Sequence, residues 1–363
     1  MKESDAPVVA LFLPNLAGGG AERITLNLAR GIVERSIGVD LVLASSDGAY
    51  RDEVPSGVSV VDLQTHRTLA AMPRLVAYLR RRRPTSIVSA MNHANIVTLW
   101  AASLARYRGR VVVAEHNELP HPSASMWQRA FNATMRWTYP RASRVVAVSS
   151  GVKQSLIDHA GVREASIDVI FNPVIGEALA PRRREVPAVF SDRDGPVFVA
   201  VGRLTEQKNY PNLVRAFARV RARTHARLLI LGEGPDRAGI EAMIGELGLS
   251  EDVSLLGFVP DVYDYIAAAD ALVLSSDWEG LPTVLIEALA LGTKIVSTDC
   301  RSGPREILAD GRFGALVPVG DAERLGDAML AALDAPDPTV PDAWVEQFRE
   351  APAVTRYMQA CGL

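Results

Sequence analysis

Cysteine is almost missing from this sequence: Cys300 and Cys361 are the only two in 363 residues. That leaves no disulfide framework and no metal-ligand spacing, which suits a reducing cytosol, and neither thiol is expected as a nucleophile. Long apolar runs are missing too. No stretch reaches eighteen uninterrupted apolar residues, and the opening "MKESDAPVVALFLPNL" has neither a basic flank nor a cleavable apolar segment. The expectation is a chain that is neither secreted nor membrane-spanning, placed in the cytoplasm or at the inner face of its membrane. Lysine is scarce: Lys2, Lys153, Lys208 and Lys294 are four of 39 basic residues, which makes each easy to examine. The basic patches lack interleaved aromatics and the net charge is −3, so no nucleic acid partner is expected.

What is present is 48% apolar and 22% charged residues, the balance of a globular protein long enough for two α/β domains. Charge is unevenly spread, with 20 Lys and Arg against 14 Asp and Glu in residues 1–175, and 19 against 28 in the rest. The N-terminal excess gathers in "RRRR" (Arg80, Arg81, Arg82, Arg83) and "RYRGR" (Arg106, Arg108, Arg110). Anionic lipid headgroups or a phosphorylated acceptor would suit such patches. The plainer reading is solvated helix ends whose long stems cover apolar surface.

Short runs of Val, Ile and Leu alternate with helical patterns throughout, which predicts parallel sheets covered on both faces. Strands are expected at 8–13, 39–44, 58–61, 86–90, 110–114, 144–148 and 166–170. After the connector "FNPVIGEALAPRRREVP" the pattern restarts with five strands, at 197–201, 227–231, 253–255, 271–274 and 294–297. Helices of the second half are expected to begin near Asn209, Asp236, Val262, Pro282 and Asp321. The fold class is therefore α/β, with two Rossmann-like doubly wound domains: 1–173, to which about 345–363 crosses back, and 174–344. Ligands of such sheets bind at the carboxyl ends of the strands, here expected to face a cleft.

Three motifs carry chemistry. In "LFLPNLAGGGAERITLNL" a strand, a turn of Gly18, Gly19 and Gly20, and an amphipathic helix form a backbone cradle for phosphate. Arg23 stands where a dinucleotide fingerprint would place its third glycine, which argues against a hydride-transfer enzyme. A turn needing positive φ would require one glycine rather than three. In "FVAVGRLTEQKNYPNLVRAF" a strand ends at Gly202 and delivers Arg203 and Lys208 to a loop, a fork and a point charge suited to a diphosphate. In "SSDWEGLPTVLIEALALGTKIVSTD" Pro282 is expected in the first helical turn, so that the Thr283 and Val284 N–H groups remain open to an anion. Glu279 and Glu287 flank that anion and, to avoid repelling it, would bind hydroxyls. A diphosphate with polyhydroxyl parts on both sides describes a nucleotide sugar. "SDRDGP" contains a D-x-D at Asp192 and Asp194 that could suggest a metal, but its place before a strand reads as a turn.

The ordered set "GGGAER", "AEHN", "VVAVSSGVKQSL", "GRLTEQKN", "LGEGPDR", "LLGFVPDV", "EGLPTVLIEALALGTKIVSTD", "SGPREIL" and "GALVPVGD" resembles the retaining glycosyltransferases of family 4, which have the GT-B architecture. The resemblance covers nearly the whole chain. It implies that Arg203 and Lys208 hold the donor diphosphate, with the turn of Gly18, Gly19 and Gly20 and the amides of Thr283 and Val284. It further implies that Glu287 binds the ribose, that Glu279, Gly280 and Leu281 meet the transferred sugar, and that Gly257, Phe258 and Val259 line the base. Gly202, Gly232 and Pro282 belong to the same donor site, and His116 of "AEHN" is the active-site histidine, although a lone His is more often a packed residue.

The implied reaction is metal-independent transfer with retained anomeric configuration, with no resident cofactor. The donor is expected to be a UDP-hexose or UDP-N-acetylhexosamine and the acceptor a glycan or lipid-linked saccharide of envelope polysaccharide synthesis. The segments around His116 and Gly303 are similar to those of bacterial enzymes that add N-acetylhexosamines to lipid-linked oligosaccharides. A nucleotide-sugar epimerase and a noncatalytic nucleotide-sugar binding protein are the alternatives on the same architecture. Arg301, where relatives often have a small residue or proline, and the basic connector "LAPRRREVP" depart from the family pattern.

Overall fold

The computed structural model describes residues 7–119, 126, 133–179, 185–191 and 194–363. Asp192 of the D-x-D and Arg182, Arg183 and Arg184 of the connector lie outside them. The chain divides into two units, Met1–Val174 with Gln347–Leu363, and Ile175–Glu346. Each has a separate apolar core.

The first unit holds a parallel sheet of β1 (Val8–Leu13), β2 (Gly38–Leu43), β3 (Val58–Asp62), β4 (Ser86–Ala90), β5 (Arg110–Glu115), β6 (Arg144–Ala147) and β7 (Ile167–Val169), in the order β3-β2-β1-β4-β5-β6-β7. Central strands such as "VVALFL" are apolar on both faces because helices cover both. The helix Gly20–Val33 buries Ile24, Leu28 and Ile32 at four-residue spacing against one face. The helix Glu350–Cys361 adds Ala353, Val354, Tyr357, Ala360 and Cys361 to that same core.

The second unit repeats the plan with β8 (Val197–Val201), β9 (Arg227–Leu231), β10 (Val253–Gly257), β11 (Ala271–Leu274), β12 (Ile295–Thr298) and β13 (Ala315–Val317), in the order β10-β9-β8-β11-β12-β13. Strand order reverses between β1 and β4 in one sheet and between β8 and β11 in the other. Those are the switch points at which loops diverge and leave room for a ligand.

Two expectations need correction. The second sheet has six strands, the sixth being the three-residue β13 within "GALVPVGD", paired with β12. Pro282 is the N-cap of the helix Thr283–Leu291, in extended conformation, and not its first helical residue. The "RRRR" run also proves partly structural. Arg82 pairs with the buried Asp40 at 2.9 Å, Tyr78 Oη donates to the same carboxylate at 2.7 Å, and Arg80 Nη2 donates to the Leu104 carbonyl at 2.8 Å.

Candidate functional site

In the second unit the switch point puts the loop after β8 beside the loop after β11. The two are tied together along their length. Ser275 Oγ donates to the Lys208 carbonyl (2.7 Å), the Asp277 N–H to the Gln207 carbonyl (2.9 Å), and Asn209 Nδ2 to Asp277 Oδ1 (2.7 Å). Asn209 adopts the left-handed conformation at φ 43° while its Oδ1 caps the helix Tyr210–Arg221, which asparagine tolerates better than most residues.

These ties bring Lys208 and Glu279 into contact. Lys208 Nζ lies 2.5 Å from Glu279 Oε1, and both side chains are largely buried. Ser276 Oγ donates to the same oxygen at 2.7 Å. Gln207 Nε2 donates to the Trp278 carbonyl at 2.9 Å and approaches Glu279 Oε2 at 3.4 Å. A carboxylate has about four lone-pair directions, so three protein donors leave Glu279 room for roughly one more, such as a sugar hydroxyl. The sequence reading assigned Lys208 to the diphosphate and Glu279 to the sugar and did not anticipate this contact between them. Arg203 is exposed on the same loop. The buried Tyr210 hydroxyl donates to the Gly202 carbonyl at 3.0 Å and is held protonated by burial and by the charge of Glu279.

The stretch from Gly280 to Pro282 is buried and leads into the helix Thr283–Leu291. Leu285 N–H turns back to the Pro282 carbonyl at 3.2 Å. The N–H groups of Thr283 and Val284 find no acceptor among the described residues, so the positive end of this helix is open to an anion. Glu287 lies one turn inside and is 6% exposed. Gly303 of "SGPREIL" shapes the loop from outside. At φ +95°, a Cβ there would lie 2.5 Å from Pro282 Cδ and 3.0 Å from the Gly280 carbonyl oxygen, so only glycine lets the two segments meet. At the ends of β8 and β9, a Cβ on Gly232 would lie 1.9 Å from the Gly202 carbonyl oxygen, which explains Gly232 by backbone packing. Gly232 N–H donates to the Gly257 carbonyl at 2.7 Å, placing Gly257, Phe258 and Val259 beside the same end of the sheet. Phe258 is 42% exposed.

In the first unit the turn before the helix Gly20–Val33 divides its labour. Gly18 has φ 97°, and a Cβ on Gly19 would sit 2.5 Å from Glu22 Oε2, whereas one on Gly20 would meet nothing within 4 Å. Glu22 is buried in the first helical turn. Its carboxylate lies beside Gly19, in the first turn of the helix whose N-terminus the sequence reading offered to a phosphate. At the same switch point Met91 opens the helix Asn92–Ala105 with φ 77° and ψ 134°, a strained conformation for a side chain of that size.

His116 follows the last residue of β5. Val112 and Ala114 face the core beneath the helix Gly20–Val33, and His116 continues their row, lining a small cavity with Ala114, Ile24, Thr25 and Leu28. Desolvation lowers its imidazole to about 4, so the ring is neutral at neutral pH. Sequence reasoning passed over Gln207, Ser276, Glu22 and Glu115. All four stand inside motifs already singled out, and three of them neighbour a named residue, which was the available signal.

Chemically, the second unit offers a cation, an open helix N-terminus and two buried carboxylates arranged around one loop pair. That set can bind a phosphate and orient hydroxyls beside it.

Comparison with known proteins bears on the whole chain. The family model described as Glycosyltransferase Family 4 matches residues 18–177, and that described as Glycosyl transferases group 1 matches residues 182–350. An N-acetylgalactosamine-N,N'-diacetylbacillosaminyl-diphospho-undecaprenol 4-alpha-N-acetylgalactosaminyltransferase of Campylobacter jejuni is 28% identical over 347 residues, covering 90% of each chain. The lipopolysaccharide core biosynthesis glycosyltransferase LpsE of Rhizobium meliloti is 27% identical over 320 residues, 86% of this chain and 84% of its own. The crystal structure of Anabaena HepE with UDP and glucose matches with a TM-score of 0.80 at 19% identity, over 98% of this chain and 99% of that one, a likeness of fold. With both sheets in Rossmann order and two family models spanning them in sequence, the chain is a GT-B protein and belongs to the glycosyltransferases of family 4 and group 1.

Proposed function

We propose that this glycosyltransferase transfers a hexose or N-acetylhexosamine from a UDP-sugar, with retention and without a metal, to a glycan or lipid-linked acceptor of envelope polysaccharide synthesis. The observation that carries the reading is the meeting of Lys208, Glu279 and the open Thr283 and Val284 amides on one loop pair. Arg203, Lys208 and the helix N-terminus stabilise the charge that develops on the departing diphosphate. Glu279 directs the sugar through its remaining acceptor direction, Glu287 takes the ribose hydroxyls, and Phe258 and Val259 meet the base. The neutral His116 hydrogen-bonds the sugar at the reacting face. The acceptor hydroxyl then attacks from the side on which the diphosphate leaves and gives its proton to a donor phosphate oxygen. The names of the relatives support this choice, one being an N-acetylgalactosaminyltransferase acting on a diphospho-undecaprenol-linked sugar and another a UDP-bound structure.

The first unit also suits a peripheral seat on anionic membrane: Arg81, Arg106 and Arg108 are exposed, and Trp137 is 70% exposed. No helix among the described residues is long and apolar enough to cross a membrane.

The test is incubation with a panel of nucleotide sugars, with and without membrane lipid extract, with and without a chelator. UDP release that requires the extract and survives the chelator supports the proposal. An epimeric sugar nucleotide formed without any acceptor overturns it in favour of an epimerase, and binding without turnover in favour of a noncatalytic protein. Loss of activity with the chelator would reopen Asp192 and Asp194. Cosedimentation with anionic but not neutral vesicles tests the membrane seat.

A further inference from the structure

One buried acid has no part in the reaction above. Glu115 is the last residue of β5 and is 1% exposed. Its side chain lies on the face opposite His116, where Oε1 accepts from Tyr139 Oη and from Asn95 Nδ2, the latter at 2.9 Å. Asn95 is itself fixed: Ser89 Oγ donates to its Oδ1 at 2.7 Å, and its Nδ2 also reaches the Ala114 carbonyl at 2.8 Å. The backbone ladder ends at the same residue. β4 pairs with β5 as far as Ala114, β6 pairs with Glu115, and the Glu115 carbonyl takes the Val148 N–H at 3.3 Å. His116 lies one residue beyond these ties, and the chain is held again further on where Leu119 N–H donates to Ser155 Oγ at 3.3 Å, so Glu115 fixes the near side of His116.

We propose that Glu115 is a positioning residue which, held by Tyr139 and Asn95, pins the end of β5 and thereby fixes the His116 imidazole in its cavity. The proposal rests on the reading of His116 as a site residue. It deepens that reading by naming a control on it, because the pin titrates. Burial raises the Glu115 carboxyl to about 7, with Tyr139 and Asn95 opposing. Its surroundings are Asn95 from the helix Asn92–Ala105, Tyr139, Ser89 of β4 behind Asn95, and the apolar ladder partner Ala147. No cation or second carboxylate contributes to its titration among the described residues. Below neutrality the acid is uncharged and suited to its dry site. Above it, an unneutralised charge is buried behind His116 and the end of β5 loosens.

The experiment uses the full chain and two readouts: kcat and KM over roughly pH 5.5–9, and the titration of the His116 imidazole by nitrogen NMR. Glu115→Gln keeps the acceptor oxygen but cannot ionise. It should hold kcat within about threefold at pH 6.5 and abolish the alkaline decline of the wild type. Glu115→Ala should lower kcat by about tenfold, leave KM for the nucleotide sugar within about threefold, and move the His116 titration up toward its ordinary value of about 6.5. Tyr139→Phe, the milder change should the alanine variant not fold, should shift both readouts the same way to a smaller extent. An unchanged His116 titration in Glu115→Ala and Tyr139→Phe overturns the proposal. So does an equal loss of kcat in Glu115→Gln and Glu115→Ala, since that would show the charge itself to be needed. Failure of the transfer reading would appear as no UDP release by the wild type, and the NMR arm is independent of it.

Discussion

Glu279 is held by a lysine, a serine and a glutamine of its own chain, so a variant of any one partner changes what the others must do. Lys208→Ala leaves a buried carboxylate uncompensated, which costs on the order of 3–5 kcal/mol. Its loss of activity should therefore be accompanied by a lower urea midpoint. Glu279→Gln keeps the shape and most hydrogen bonds, and should abolish transfer with UDP affinity within a few-fold. Equal losses of both would assign Glu279 to nucleotide binding. A second pair offsets itself in pH. Glu115, raised from 4.5 to about 7, contributes stability that is full below pH 4.5 and lost as pH climbs to about 7. His116, lowered from 6.5 to about 4, contributes stability that is full above pH 6.5 and lost as pH falls to about 4. Each slope is about 1.4 kcal/mol per pH unit, and they oppose each other over nearly the same window. The wild type should therefore show a shallow pH dependence by urea unfolding. Glu115→Gln should lose stability steeply on acidification, and His116→Gln on alkalinisation; parallel profiles for all three would refute the pairing. Sequence motifs and the family resemblance singled out His116, Lys208 and Glu279. They could not reveal that Lys208 grips Glu279, since that contact depends on strand β8 lying beside β11.

At the scale of elements, the glycine turn and the proline-capped helix make different demands. Gly20→Ala meets open space at the start of a helix, and should leave stability unchanged or raise it by about 0.5–1 kcal/mol. If its activity also survives, close approach of a ligand to Gly20 is refuted. Gly303→Ala would drive a methyl into Pro282 from a positive φ. It should destabilise by roughly 1–3 kcal/mol and weaken UDP binding, measured together by thermal unfolding and calorimetry. Element starts were well legible: the helices expected near Asn209, Asp236, Val262, Pro282 and Asp321 have those residues as N-caps. β13 was not, because three residues between a glycine and a proline carry no readable period. The buried Glu22 and Glu115 escaped for a related reason. Each is a charged residue at the edge of an apolar segment, and in sequence that looks the same as a charge pointing to water.

For the whole molecule, two separate cores mean that a ligand held by one unit need not stiffen the other. UDP at about one hundred times its Kd should stabilise the second unit by about 2.7 kcal/mol. Hydrogen exchange should slow in β8, β11 and the helix Thr283–Leu291 while β1 and β5 keep their rates; uniform protection of both sheets would contradict a nucleotide site confined to the second unit. The two-sheet plan was legible because parallel strands are buried on both faces and show as repeated Val, Ile and Leu runs. The helix Glu350–Cys361 has a consequence in time. Its residues wall the first core, Arg35 Nη2 just beyond the first long helix donates to the Ala351 carbonyl at 3.2 Å, and yet the whole second unit is translated between them. At about 5–20 residues per second, the ribosome needs roughly 10–35 s to make that unit. The half of the protein that is born first must therefore remain unfinished, one wall of its core open, while the half born later folds and closes ahead of it.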